Sequence, residues 1–139
     1  MEIHINTWAV LLGGIASMII GAIYYADGVL GTSWKKLAKI DTKRFEKEMP
    51  SNMLLVFIYA LLTSYVVAYV TCLYQAYYRT SWITAGFVSS LILFVGVAAT
   101  TVIIHNSLNQ IPPRLTSITL GNRFLSLLAM GLIVGWLHP

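Results

Sequence analysis

The chain reads as an all-α polytopic membrane protein, a bundle of four transmembrane helices with a short amphipathic interfacial helix between helices one and two. Three observations carry that reading. Hydrophobic residues make up 58% of the 139 and charged residues only 10%, whereas a soluble domain carries roughly 25% charged. Four apolar stretches, 7–26, 53–73, 82–104 and 115–137, each reach the roughly 20 residues that cross a bilayer core. Six of the nine Lys and Arg residues (Lys35, Lys36, Lys39, Lys43, Arg44 and Lys47) fall in one connection, 27–51. Residues 1–139 therefore form a single transmembrane domain with no room for a separate soluble one.

The first stretch follows an N-terminus without a basic run, where Glu2 is the only formally charged side chain. No small-x-small cleavage site follows it, so it reads as a retained helix and not as a removed signal. It carries Gly13, Ser17 and Gly21 four residues apart. The connection 27–51 has two faces on a helical projection. Leu30, Trp34, Leu37, Ala38, Phe45 and Met49 lie on one, and Lys35, Lys36, Lys39, Lys43 and Lys47 on the other. A basic face opposite a Trp-bearing apolar face suits a helix lying among anionic headgroups, so Trp34, Lys35, Lys36, Lys39 and Lys43 are the candidate lipid-surface contacts. Asp41 breaks the apolar face, and its other reading is the cap of a second short helix starting near Thr42. Pro50-Ser51 then punctuates the start of span two.

Span two carries Ala60, Ser64, Ala68 and Cys72 four apart, and span four carries Gly131 and Gly135. Such stripes let backbones approach closely in lipid, either within one bundle or between subunits. Three stripes exceed what a minimal bundle needs, so a homo-oligomer, most simply a dimer, is expected. Pro112-Pro113 keeps the connection between spans three and four short, which makes them antiparallel neighbours.

The Lys/Arg bias sets orientation. The first and third connections hold six and one (Arg114), against one (Arg79) in the second. The loop 27–51 is therefore expected in the cytoplasm and both termini outside. Trp8, Tyr74, Tyr77, Tyr78, Trp82 and Trp136 mark the outer ends of the spans, and Tyr24, Tyr25 and Trp34 the inner ones.

Polar groups inside spans are costly and here they cluster. Span three ends His105-Asn106-Ser107-Leu108-Asn109-Gln110, and span four carries Thr119, Asn122, Arg123 and Ser126. His105 and Asn109 share a helix face. With Tyr25 and Asp27 from the end of span one, the candidate polar site is Arg123, Asn122, His105, Asn109, Asp27 and Tyr25. Arg123 has three readings: it snorkels to headgroups, it is held in a structural network, or it binds an anion. No catalytic constellation is visible, so the chain does not read as an enzyme. No second in-membrane histidine faces His105, so no haem is expected. Cys72 stands alone, and His4, His138 and Glu2 near the chain ends fall short of a metal set. No cofactor is expected. The net charge of +4 is concentrated beside a span, so headgroups and not nucleic acid are its expected partner.

Five motifs recur together: Asn6-x-Trp8, then Gly21-Ala22-Ile23-Tyr24-Tyr25, Leu30-Gly31 and Trp34-x-x-Leu37, and a glycine-bearing last helix with Gly121, Gly131 and Gly135. In these the chain resembles domain-of-unknown-function family 1761, small four-span bacterial membrane proteins. Members typically have Trp-Tyr where this chain has Tyr24-Tyr25, and often Pro where it has Asp27. The resemblance implies the four-span fold and carries no activity. The functional expectation is binding or transport of a small polar or anionic solute through an inward-facing polar cluster. The alternative is a non-catalytic accessory or structural protein that binds lipid or a partner membrane protein.

Overall fold

The computed structural model describes residues 3–138. Helix α1 spans Thr7–Tyr24, α2 Gly31–Leu37, α3 Thr42–Tyr78, α4 Trp82–Leu93, α5 Thr100–Leu108 and α6 Pro113–Trp136. A π-helical turn, Phe94–Ala99, joins α4 to α5 as one continuous rod, Trp82–Leu108. Four rods are thus long and apolar enough to cross a membrane, and no strand occurs among the described residues. The chain is an all-α integral membrane protein.

Helix ends follow from their capping residues. Asn6 caps α1 by accepting from the Trp8 backbone N–H at 3.0 Å, while its Nδ2 donates to the Leu137 carbonyl at 2.8 Å. One side chain therefore starts the first helix and fastens it to the end of the last. Ser81 caps α4. Pro113 opens α6, where its missing N–H removes a donor that would have no helical partner. Asp41 caps α3 through the N–H groups of Lys43 and Arg44, as its alternative reading held.

That helix is not short. It runs unbroken through Pro50 and Ser51 for 37 residues, so the expected break before span two is absent. Pro50 removes one helical hydrogen bond. Residues 46–56 are solvent- or headgroup-exposed throughout, so the freed carbonyl is not trapped in an apolar seam. Ser51 Oγ also donates to the Glu48 carbonyl at 3.0 Å.

Helix α6 is the hub, packing against α1, α3 and α4, while α3 closes the ring between α1 and α4. The α4–α6 seam is an antiparallel zipper. A Cβ on Gly86 would overlap the Gly131 carbonyl, and one on Gly135 the carbonyl of Trp82. Ser90 Oγ lies 2.8 Å from the Leu127 carbonyl, Phe94 meets Phe124 edge-on at 5.1 Å, and Asn106 Nδ2 donates to Thr116 Oγ1 at 2.9 Å. The α1–α3 seam is equally close, with Gly13 against Ser64 and Gly14 against Leu61.

All three small-residue stripes are accordingly used inside one chain. Gly13, Ala60, Ser64, Ala68, Cys72, Gly131 and Gly135 are buried in the bundle. Of the stripe glycines only Gly21 has open space where a side chain would be, so the stripe on α1 is filled at Gly13 and not at its last position. The stripes therefore no longer motivate a second copy.

Candidate functional site

The end of the molecule that carries the lysines is built around a tight reversal after α1. Gly31 donates its N–H to the Ala26 carbonyl at 2.9 Å and lies so close that a Cβ would overlap the Tyr25 carbonyl. This folds α2 back beneath α1. Trp34 is thereby set between Tyr25 (ring centroids 4.9 Å) and Phe45 at the start of α3 (5.8 Å), and Tyr24 meets Tyr25 edge-on at 5.3 Å. Trp34 is half-buried in this ladder, so it packs within the chain and keeps part of its ring at the surface.

Across from the ladder is α6. The Tyr24 hydroxyl sits over Gly121, where only the absence of a side chain leaves it room. Tyr25 lies beside the side chains of Asn122 and Thr119 and in the field of Arg123. Thr119 Oγ1 is already bonded to the Leu115 carbonyl at 3.1 Å. Asn122 is different: its Oδ1 is buried and has no hydrogen-bond partner. Arg123 is exposed, and among the described residues no carboxylate lies within ion-pair distance of it.

The expected constellation therefore meets only in part. Tyr25, Asn122 and Arg123 come together. Asp27 is engaged elsewhere, with its Oδ1 on Lys35 Nζ at 2.9 Å and its carbonyl accepting from Thr32 Oγ1. His105 and Asn109 do share a face, but it is exposed and they engage each other, Asn109 Nδ2 donating to the His105 carbonyl at 2.7 Å. The inward residue of that turn is Asn106, which the reading passed over.

A π turn lies between the two halves of this rod and helps to keep one side of it on α6. Contacts with α6 recur at Gly86, Ser90, Phe94 and Asn106, and Ala98 packs on the core that includes Leu127 and Met130, all in steps of four or multiples of four. In an ideal α-helix each such step drifts about 40°. A wider turn inserts a residue and recovers part of the drift. Its loosened carbonyls are taken by the hydroxyls of Thr100 and Thr101, which bond Gly96 and Val97.

Arg123 is ten residues into α6, yet Gly121 is level with Tyr24, the last residue of α1. Helix α1, with 18 residues, is about 27 Å long, close to the roughly 30 Å of a hydrocarbon core. Arg123 thus lies near the level at which α1 ends. The start of α6, the end of α5, α2 and the first turns of α3 form a layer beyond it.

Asn6, Tyr24, Tyr25, Gly31 and Trp34, the residues in which the chain resembles a known family, each hold a structural position in these contacts. No curated protein and no solved structure matches the chain. The model of a family described as a protein of unknown function, DUF1761, matches residues 8–135, and the chain belongs to that family.

Proposed function

We propose that this protein binds an anionic polar group, a phospholipid headgroup phosphate or a small free anion, between α1 and α6 at the basic end of the bundle. The observation that carries this reading is the pairing of Arg123 with Asn122. Arg123 is an exposed guanidinium without an acidic partner among the described residues, and beside it the Asn122 Oδ1 is buried without a donor. A guanidinium presents a planar fork that suits phosphate or carboxylate oxygens. A buried amide oxygen left unpaired costs free energy that a ligand hydroxyl or ammonium would recover. A headgroup that carries both phosphate and hydroxyl or ammonium answers both demands, and Arg123 is level with the end of α1, where headgroups begin.

Retention at this end fits the bundle better than passage through it. The α4–α6 seam closes backbone to backbone at Gly86 and Gly131, and in the α1–α3 seam the Ser64 side chain fills the space over Gly13, which favours an accessory, lipid-binding role over conduction by one chain. Lys36, Lys39 and Lys43 are exposed beside the site and add attraction for an anionic leaflet. By the positive-inside rule this end faces the cytoplasm, and α2 lies at that interface.

The test is thermal melting of the detergent-solubilised protein with phosphatidylglycerol, phosphatidylcholine or inorganic phosphate added. A ligand at a hundredfold excess over its Kd stabilises by about 2.7 kcal/mol. Wild type is expected to gain melting temperature with phosphatidylglycerol, with Arg123→Lys gaining less and Arg123→Leu nothing. A response to inorganic phosphate as well identifies a site for free anions. Equal responses in wild type and Arg123→Leu would overturn the reading.

A further inference from the structure

The side of α3 turned away from the bundle carries a second stripe. Leu55, Leu62 and Tyr69 recur seven residues apart and are flanked by Tyr59, Tyr65 and Val66. All six are exposed, from 41% for Tyr69 to 60% for Tyr59. Exposed aliphatic side chains on a membrane helix face lipid and need no other explanation. The three tyrosines do. Ser64 lies against Gly13 and Ala68 packs with Ala9, so the middle of α1 is level with residues 61–62 of α3. Tyr59 and Tyr65 each lie within about 6 Å of that level at 1.5 Å per residue.

Tyrosine ordinarily collects at the membrane surface, where its hydroxyl meets water. Helical side chains lean toward their helix's N-terminus, which for α3 is the basic end. Tyr65 and Tyr69 therefore lean toward the bilayer centre, away from the nearer surface. No hydroxyl of the three has a hydrogen-bond partner among the described residues. A polar group left unpaired in hydrocarbon is costly.

We propose that this face pairs with the same face of a second copy of the chain, α3 against α3, with tyrosine hydroxyls meeting across the contact. A hydroxyl both donates and accepts, so the face is complementary to itself. Two copies inserted in the same orientation are related by a two-fold axis along the membrane normal. Their α3 helices then run parallel, and the seven-residue repeat sets Leu62 opposite Leu62. This interface is independent of the small-residue stripe of α3, which is buried within the chain, and of the proposed anion site.

The test uses the full-length protein in phosphatidylcholine–phosphatidylglycerol vesicles. Energy transfer between C-terminally labelled copies, followed as lipid is added, measures the dimer. Disulfide cross-linking in a Cys72→Ala background compares Leu62→Cys with Ile104→Cys, which is as exposed but lies on α5. We expect a dimer that cross-links at Leu62→Cys and not at Ile104→Cys. The pair Tyr59→Phe and Tyr65→Phe keeps the rings and removes only the hydroxyls. It is expected to weaken the dimer about tenfold and leave the melting temperature of the dilute monomer unchanged. Any of three results would overturn the proposal: a monomer at every lipid ratio, equal cross-linking at both positions, or a dimer indifferent to the Tyr→Phe pair.

Discussion

Gly31 and Gly21 stand ten residues apart in neighbouring sequence motifs and do different work. At Gly31 a Cβ would overlap the Tyr25 carbonyl, so Gly31→Ala must push α2 away from α1 and open the stack of Trp34 on Tyr25. Overpacking of this kind costs about 1–3 kcal/mol. At Gly21 nothing lies near, and Gly21→Ala in a helix interior should be neutral or stabilising by up to about 1 kcal/mol. Chemical denaturation in detergent, followed by tryptophan fluorescence, should rank the two in that order. Equal effects would mean that the reversal is not held by close approach. Their sequence spacing gives no hint of this contrast, since it is set by which backbone each glycine meets. That Arg123, Asn122 and Tyr25 come together was legible because the polar residues of the spans cluster at one end. The inward place of Asn106 was not, because choosing it over His105 requires knowing how the rod is rotated against α6.

Elements were easier to read than their interruptions. The four spans follow from hydropathy, and the Asp41 cap from its residue type. The passage of α3 through Pro50 was hidden because proline ordinarily ends a helix, and only exposure of the freed carbonyl permits continuation. The π turn was hidden for another reason: Phe94–Ala99 has no composition that marks it, and its evidence lies in the hydroxyls that follow. Thr100→Val and Thr101→Val keep the shape of each side chain and remove its bond to the widened turn. Each is expected to lower stability by about 1 kcal/mol, with added hydrogen exchange confined to residues 96–101. Unchanged exchange there would show that the threonines do not hold the turn.

At the scale of the whole molecule, the small-residue stripes were visible in sequence but their use was not. A stripe looks the same whether it meets a helix of its own chain or of another, and only the fold shows that these meet their own. Orientation is a separate matter, because it rests on charge alone: the basic end is expected in the cytoplasm and both termini outside. In a Cys72→Ala background, a cysteine added at the C-terminus should react with an impermeant thiol reagent in intact cells. Labelling only after lysis would reverse the orientation, and with it the leaflet that the anion site faces.

Asn122 and Arg123 make a polar corner in which, among the described residues, neither the amide oxygen nor the guanidinium charge has a partner, and which a bound anion would complete. The most direct measurement is a structure of the protein in nanodiscs containing phosphatidylglycerol. The predicted result is a phosphate within hydrogen-bonding distance of the Arg123 guanidinium and a headgroup hydroxyl on Asn122 Oδ1, beside Tyr25. Asn122 closed off by protein, with Arg123 extended away from it into bulk headgroups, would rule out an anion held at this corner.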